Sequence, residues 1–458
     1  MDFIAKIPID QKLFFISSVL ILICGFLMKF VKGRNLRLLY SFLPGLIFQY
    51  LLYGNSSFNI WVSCISNIYI LKNCDRKNLG KISLIYNFIH NSMIHLYRIF
   101  FEYTDHRIEI STIFMMTTCK FTGFGASYSN CIKENLSKEQ EKYKIKNFTI
   151  FEFFSFTFFF PTCICGPFIE FNDFIRFIEE KGEYANIPST YFLVLKRYTH
   201  GLIFAALNLF CNIYGKPQNI IDDAGNYNFF QKIICYYFGG LLLYKYFAAF
   251  CVSEACVLAS GFAYDGKVKN DNNEEIDSFD KARVIEIFKV STIYYPTNFF
   301  RHWNISTHVW LKRYLYTSFL SENSSNSEKQ IAASKTFFVS AFWHGFHLTY
   351  FVTFGHFFFL TFFENQIRTI INSLTKDNYS FYAKIRFDWI SRILINILMI
   401  PYLCFLWECL DFSMLLKFVS SVYYFATIFI ITANIFAYLY IKIFIKKDII
   451  IKEILKKD

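Results

Sequence analysis

Apolar stretches separated by short polar segments follow one another along the whole chain. About eleven of them reach the length of roughly 20 mostly apolar residues that an α-helix needs to cross a bilayer. They begin near Leu13, Leu36, Phe58, Ser83, Ile110, Ile150, Phe192, Phe229, Lys335, Trp389 and Leu415. This pattern predicts an all-α, polytopic transmembrane protein in which residues 1–458 form a single membrane domain.

Four polar segments interrupt the apolar pattern. Residues 72–81 are short and basic, and residues 130–147 mix lysine and glutamate as a solvated amphipathic helix does. Residues 264–283 and 321–329 are rich in Asp, Asn, Glu and Ser, which indicates loops. The apolar run 13–31 has lysines before it and no small-residue cleavage site after it, so we predict a retained first helix rather than a signal peptide.

The composition argues against a soluble protein. Apolar residues make up 54% of the chain and charged residues 18%, against about a quarter charged in soluble chains. The 60 phenylalanines, including the run 158–160, are predicted to face lipid or to fill the core rather than to form an aromatic binding site. The net charge of +12 lies mostly between and beside apolar stretches, as in cytoplasmic loops. No basic face on a soluble domain is evident, which argues against nucleic acid as a partner.

Cysteine usage indicates neither a disulfide framework nor a metal site. The 13 cysteines are odd in number and irregularly spaced, and many lie inside apolar runs, where cysteine behaves as a small hydrophobic residue. Cys163 and Cys165 have the wrong spacing for one half of a zinc site. We therefore predict no metal and no permanently bound cofactor.

The segment 299–316 carries polar and aromatic residues where a plain apolar span would have none. At helical spacing, Trp303, Trp310 and Tyr314 lie near one face, where they could line a cavity or a membrane interface, and the basic pair 312–313 lies elsewhere. Taken alone, this pattern is typical of a basic amphipathic helix at the membrane surface.

The segment 340–350 places histidine inside an otherwise apolar span, where an ionisable side chain is costly without a partner or a purpose. His344, beside Gly345, is a candidate general base. His347 and His356 fall near the same helical face and are weaker candidates. A histidine hydrogen-bonded across helices is the alternative for each of the three. A zinc site at the two histidines 344 and 347 would lack acidic or thiol ligands nearby.

Several polar stretches occur in a fixed order, at 116–122, 160–174, 244–261, 303–316 and 340–345. The last two contain Trp303-Asn304, Thr307, Trp310-Leu311, Tyr314-x-Tyr316 and Ser340-Ala-x-Trp-His-Gly345. These look like the two signature motifs of the membrane-bound O-acyltransferase family, and the first three stretches resemble motifs of its lysophospholipid branch. The Trp-His-Gly sequence is similar to that branch, whereas sterol and diacylglycerol acyltransferases more often have Phe-His-Glu there.

The resemblance implies a buried catalytic chamber and a direct transfer of a fatty acyl group from acyl-CoA, the co-substrate, to the free hydroxyl of a lysophospholipid. It implies His344 as the general base, and Asn304 as the residue that orients the acceptor or His344, or polarises the thioester carbonyl. It also implies a catalytic core at 110–355 and a multi-pass protein of the endoplasmic reticulum membrane. Substrate contacts are expected at Trp303, Thr307, Trp310, Lys312, Arg313, Trp343 and Tyr350.

The basic pair Lys312 and Arg313 could meet the CoA phosphates or anchor the chain at the cytoplasmic surface. Lys120, Glu170 and Glu254 lie in family-like stretches, and we expect them to form structural ion pairs.

The chain departs from the family pattern outside the presumed catalytic pair. Leu348-Thr349 replaces a frequent Pro-Gly, Phe250 a frequent tryptophan and Ser318 a frequent arginine, which leaves the acceptor open. A sterol, a diacylglycerol or a protein side chain is the alternative acceptor. A channel or transporter would also have many helices and intramembrane histidines, but it would not explain the ordered motifs. The sequence does not decide between a monomer and a homodimer, and the expected partners are acyl-CoA, lysophospholipid and membrane lipid.

Overall fold

The computed structural model describes residues 9–101, 110–134, 136–214, 226–232, 243–281, 283–291, 295–374 and 399–445. Within these ranges nearly all regular structure is helical, and the strands form a single two-stranded antiparallel hairpin. The predicted all-α class is therefore confirmed. The chain divides into two compact units. The first comprises Met1–Phe204, Tyr246–Ile285 and Asn304–Ser318, and the second comprises Ala205–Lys245, Glu286–Trp303 and Phe319–Asp458.

The elements are numbered here in chain order. The first ten helices are α1 (Ile9–Leu27), α2 (Arg34–Tyr53), α3 (Phe58–Asn73), α4 (Leu79–Phe101), α5 (Ile110–Ser129), α6 (Lys138–Tyr143), α7 (Ile150–Thr157), α8 (Phe171–Ile178), α9 (Tyr191–Tyr214) and α10 (Tyr244–Ser260). The hairpin pairs β1 (Gly266–Lys269) with β2 (Glu275–Ser278). The later helices are α11 (Ile287–Ser291), α12 (Pro296–His302), α13 (Ile305–Trp310), α14 (Asn326–His344), α15 (Leu348–Leu374), α16 (Ile400–Glu408), α17 (Phe412–Ser421) and α18 (Phe425–Tyr440). One π-helical turn, Leu311–Tyr316, continues α13.

Three described stretches are long and apolar enough to cross a membrane. They are Ile9–Phe30, Arg34–Asn73 and Phe425–Ile445, and the second consists of α2 and α3 joined by a short 3₁₀ turn. The stretches predicted near residues 83, 110 and 192 also form long helices, α4, α5 and α9. The stretch that begins near Trp389 is described only from residue 399 onward, and the one at Phe229 lies largely outside the described residues. The count of about eleven spans therefore stays a prediction.

Two predicted spans are interrupted, and one predicted helix is shorter than the pattern suggests. The stretch at Ile150 is helical only to Thr157 and then turns through Phe160–Thr162, where Pro161 has no N–H to extend a helix. The stretch at Leu415 lies in α17 and α18, which are separated by a turn with positive φ at residues 423 and 424. Within 130–147 the α-helix is the six-residue α6, so the predicted amphipathic helix was too long.

Two of the predicted loops contain regular structure. Residues 264–283 hold the β1–β2 hairpin, in which Asn273 has φ 68°, a backbone conformation that asparagine tolerates well. Residues 321–329 are a loop only as far as Ser325, which begins α14 through a capping box with Glu328. Both interpretations as plain loops were therefore wrong in part.

Aromatic side chains fill the interior of the first unit. Phe158, Phe159 and Phe160 are each at most 1% exposed, so this phenylalanine run fills the core rather than facing lipid. Phe159 contacts the rings of Phe174, Phe177 and Phe262, with centroids 5.2–5.9 Å apart. Such offset and edge-on contacts stabilise a core beyond the apolar area that they bury.

Among the glycines described in this unit, Gly45 in α2 has the tightest surroundings. A β-carbon at this position would lie 1.7 Å from the carbonyl oxygen of Phe158, a backbone atom that cannot rotate away. We expect Gly45→Ala to lower the free energy of unfolding by about 3 kcal/mol or more, because the helix must move to accept the methyl group. The matched control is Gly355→Ala in α15, where the new methyl group meets nothing within 4 Å.

Thermal unfolding of the two variants in detergent checks this expectation. The midpoint should fall by several degrees for Gly45→Ala, and it should stay level or rise for Gly355→Ala because alanine favours helix by about 1 kcal/mol over glycine. Equal midpoints for the two variants would contradict the close approach of α2 to Phe158.

Candidate active site

The segment 299–316 does not form one continuous helix. α12 ends at His302, Trp303 is extended, and Asn304 adopts the left-handed conformation with φ 43° and ψ 54° before α13 begins. Among residues other than glycine, asparagine tolerates this conformation best. The prediction that Trp303 shares a helical face with Trp310 and Tyr314 is therefore wrong.

Backbone hydrogen bonds hold the peptide group that follows Asn304. The Asn304 carbonyl accepts from the N–H of His308 at 2.9 Å, and the N–H of Ile305 donates to the carbonyl of Val284 at 2.8 Å. Because both polar atoms of this peptide group are engaged, the left-handed turn is fixed and the direction of the half-buried Asn304 side chain is set with it.

The polar side chains of α13 differ in whether they have hydrogen-bond partners. Ser306 Oγ accepts from the N–H of Phe168 at 3.3 Å, and Trp310 Nε1 donates to Thr122 Oγ1 at 3.0 Å while its ring is fully buried. Thr307 is also buried, yet its hydroxyl has no hydrogen-bond partner among the described residues. A buried hydroxyl without a partner is costly, so Thr307 is the residue of this helix with capacity left for a ligand.

The basic pair after α13 divides into one engaged and one exposed side chain. Arg313 pairs with Glu139 at 2.6 Å and with Glu170, and it lies over the ring of Tyr143. Glu170 also accepts from the hydroxyl of Tyr314 at 2.8 Å. Burial raises the pKa of the Glu170 carboxyl to about 7, although Arg313 and Tyr314 act in the opposite direction. Lys312 is exposed.

Two of the three expected ion pairs are present. Glu170 pairs with Arg313, and Glu254 pairs with Arg197. Lys120 differs, because its amine donates to the hydroxyl of Thr162 at 2.8 Å and to two backbone carbonyls rather than to a carboxylate.

His344 lies at the end of a helix in the second unit. α14 stops there because Gly345, with φ 122°, adopts a conformation that other residues rarely take. α15 then begins at Leu348. The prediction that His347 and His356 follow His344 on one helical face is therefore wrong, because the helix breaks between residues 344 and 348.

Aromatic rings surround His344. Its imidazole lies 4.6 Å from Trp407 at 88°, 4.7 Å from Trp343 and 5.4 Å from Phe354, between ring centroids. Tyr350 lies 5.9 Å away and is itself 4.7 Å from Trp407. These four rings limit how the imidazole can turn and how much water can reach it.

Sequence reasoning missed Trp407. It lies near the end of α16, in a part of the chain where only hydrophobic spans match the family pattern. Nothing in its spacing connects it to residue 344.

The other two histidines have structural partners. His347 Nδ1 lies 3.1 Å from the carbonyl oxygen of Leu410. His356 lies 2.7 Å from the Val352 carbonyl through Nδ1 and 2.9 Å from Thr427 Oγ1 through Nε2, and the latter contact joins α15 to α18. The alternative of a histidine hydrogen-bonded to another segment therefore holds for both.

The two predicted catalytic residues belong to different units, Asn304 to the first and His344 to the second. Of the predicted substrate contacts, Thr307, Trp310, Lys312 and Arg313 belong to the first unit, and Trp303, Trp343 and Tyr350 to the second. Catalytic and binding roles for all of them stay predictions.

Comparison with known proteins agrees with the motifs. The model of the membrane-bound O-acyltransferase family matches residues 82–405. The chain is 26% identical over 282 residues to the lysophospholipid acyltransferase of Saccharomyces cerevisiae, covering 56% of this chain and 45% of that one. It is 24% identical over 348 residues to lysophospholipid acyltransferase 6 of Drosophila melanogaster, covering 70% and 46%. It is 23% identical over 347 residues to lysophospholipid acyltransferase 2 of Arabidopsis thaliana, covering 72% of each chain.

The alignment thus spans about half the length of the yeast and fly relatives, at 45% and 46%. The family match is broader, because residues 82–405 are well over half of the 458 residues and include both Asn304 and His344. This multi-pass membrane protein belongs to the membrane-bound O-acyltransferase family.

Proposed function

We propose that this protein transfers a fatty acyl group from acyl-CoA to the free hydroxyl of a lysophospholipid in the endoplasmic reticulum membrane. The observation that carries the proposal is the family match over 82–405, which includes Asn304 and His344. The names of the yeast, fly and plant relatives support the choice of lysophospholipid as the acceptor. Residues 110–355 form the catalytic core in this proposal.

In the proposed reaction His344 acts as the general base. A lysophospholipid hydroxyl is a poor nucleophile, so a neutral imidazole takes its proton while the oxygen attacks the thioester carbonyl. The carbon–sulfur bond then breaks, the new ester leaves with the acyl group, and the CoA thiolate receives the proton from the imidazolium. Trp343, Tyr350, Phe354 and Trp407 hold the imidazole and restrict the access of water, which would otherwise hydrolyse the thioester.

Asn304 supplies a side-chain amide that can both donate and accept hydrogen bonds. In the proposed site it orients the acceptor or His344, or it donates to the thioester oxygen as negative charge develops there. Thr307 follows one helical turn later in α13. Its buried hydroxyl, which has no partner in the described part of the chain, supports a polar contact with the substrate.

The other residues predicted to contact substrate have different proposed roles. Trp343 and Tyr350 contact His344 and are proposed to line the lipid path. The indole N–H of Trp310 is already engaged by Thr122, so Trp310 supports α13. Arg313 is already paired with two carboxylates, so we propose the exposed Lys312 as the cation that meets a CoA phosphate.

Acyl transfer by the detergent-purified full chain tests this function. One labelled acyl-CoA is offered with lysophospholipids that differ in head group, and in separate reactions with a sterol, a diacylglycerol and a serine-containing peptide. A reaction without acceptor measures background thioester hydrolysis. We expect label in a diacyl phospholipid for at least one head group. Label in the sterol, diacylglycerol or peptide alone, or in no product, would show that the acceptor is wrong.

A further inference from the structure

Glu254 in α10 is a buried carboxylate that accepts three hydrogen bonds, two from backbone N–H groups and one from an arginine. It is 6% exposed, and its Oε1 accepts from the backbone N–H groups of Val284 and Ile285 at 2.5 and 2.7 Å. Its Oε2 accepts from Arg197 Nε in α9, and the same guanidinium donates through Nη2 to the carbonyl of Ile285. The pair thus fixes both polar atoms of Ile285 and the N–H of Val284.

The remaining polar backbone atom of Val284 connects this pair to the predicted catalytic segment. The Val284 carbonyl accepts from the N–H of Ile305 at 2.8 Å, and this N–H belongs to the peptide group that follows Asn304. Glu254 is therefore joined to the Asn304 turn through one residue of backbone. All of these residues belong to the first unit.

This connection helps to hold the left-handed conformation of Asn304. An isolated asparagine gains little from the left-handed conformation, so the surrounding structure has to hold it. α13 holds the Asn304 carbonyl, and Val284 holds the next N–H. If residues 284–285 moved, the peptide group after Asn304 would lose its outer partner, and the amide of Asn304 would change direction.

We infer that Glu254, together with Arg197, is a positioning residue that sets the direction of the Asn304 side chain through the backbone of Val284 and Ile285. The inference rests on the proposed function, since Asn304 matters to the rate only if acyl transfer takes place. Glu254 itself need not touch either substrate. Its effect should appear in kcat rather than in KM, because a misdirected amide weakens the transition state more than substrate binding.

The test compares Glu254→Gln with Glu152→Gln. Glu152 is a close match: it is also 6% exposed, pairs with an arginine, Arg34, and accepts from a backbone N–H, that of Thr149, but it has no bond to residues 284–285. Glutamine keeps the volume of glutamate and replaces one acceptor oxygen by a donor. We expect Glu254→Gln to lower kcat by about 10- to 100-fold with both KM values within about threefold, as for a misplaced catalytic group. Glu152→Gln should keep the wild-type kcat per folded molecule.

A double variant separates positioning from a general loss of structure. Asn304→Gly removes the amide whose direction Glu254 is inferred to set, so adding Glu254→Gln to it should lower kcat little further. If the two losses multiply, or if Glu254→Gln and Glu152→Gln lose equal activity per folded molecule, the inference is overturned. If Glu254→Gln does not fold, Arg197→Lys replaces it in the test. This variant keeps the positive charge but loses the guanidinium bond to the Ile285 carbonyl, and it must show the same loss confined to kcat.

Failure of the proposed function looks different. In that case the wild-type protein acylates no lysophospholipid, whereas failure of the positioning role leaves an active wild type and an equally active Glu254→Gln. Activity of the wild type on another hydroxyl acceptor would leave the comparison intact, with the same ratio measured on that acceptor.

Discussion

Replacing His344 with alanine is expected to lower acyl transfer by about 10²- to 10⁴-fold, the usual contribution of a positioned general base. The variant should still fold, because His344 is half-buried at the end of α14 and Gly345 continues to terminate the helix. Product formation from labelled acyl-CoA and the acceptor found in the panel gives the rate. The acyl-CoA affinity of the variant should stay close to that of the wild type, because the lost interaction acts on the proton that is transferred in the transition state and not on substrate binding.

His356→Ala is the matched control for this variant. His356 is a histidine of the same unit, and it bonds Thr427 between two helices. Its loss should lower the thermal midpoint and leave the rate per folded molecule within about threefold of the wild type, as expected for a helix-to-helix hydrogen bond. Added imidazole offers a second test, because a small base that enters the space left by His344→Ala should restore part of the rate. A His344→Ala protein as active as the wild type would make His344 structural and the proposed mechanism wrong.

The long helices could be predicted from the sequence because their apolar runs carry enough information by themselves. α1 to α5 all begin within four residues of the predicted starts, and α1 and α4 differ most, beginning at Ile9 and Leu79 rather than near Leu13 and Ser83. Burial of one face and exposure of the other to lipid both favour apolar residues, so hydropathy alone finds such segments. Hydropathy does not tell where the helices end. In the stretch at Ile150, the helix ends at Thr157, shortly before the turn that contains Pro161.

The breaks at Asn304 and Gly345 differ in how visible they are. Glycine after a basic or aromatic helix end is an ordinary termination signal, so the break after His344 was open to prediction from Trp343-His344-Gly345. The break at Asn304 was not, since asparagine within 299–316 fits a helix nearly as well as its neighbours do. At this break the N–H of Ile305 donates to the carbonyl of Val284, and no local pattern relates these two residues.

The candidate site was predictable only in its motif residues. Asn304 and His344 followed from the family resemblance, and periodicity alone left His344 between a catalytic and a structural role. Trp407 contacts His344 from a distant part of the chain, and such a contact has no local signature. The partners of Arg313 were also hidden, because Glu139 and Glu170 reach it from α6 and from the loop before α8.

Replacing Asn304 with glycine is expected to lower kcat by about 10²- to 10³-fold if the amide donates to the developing oxyanion, the usual effect of removing one such donor. Glycine adopts the left-handed conformation without strain, so the bonds of the 304–305 peptide group to His308 and Val284 should persist and the fold should be retained.

Asn304→Ala gives the complementary measurement, because it removes the same amide and adds about 1 kcal/mol of backbone strain in this conformation. Equal kcat values for the two variants, with a lower thermal midpoint for alanine alone, would assign the catalytic effect to the amide and the stability effect to the backbone. A glycine variant that keeps the wild-type kcat, beside an alanine variant that loses it, would mean instead that residue 304 serves only to turn the chain. The oxyanion, acceptor and His344 roles would then all be wrong for Asn304, and the buried hydroxyl of Thr307 would become the first donor of α13 to test.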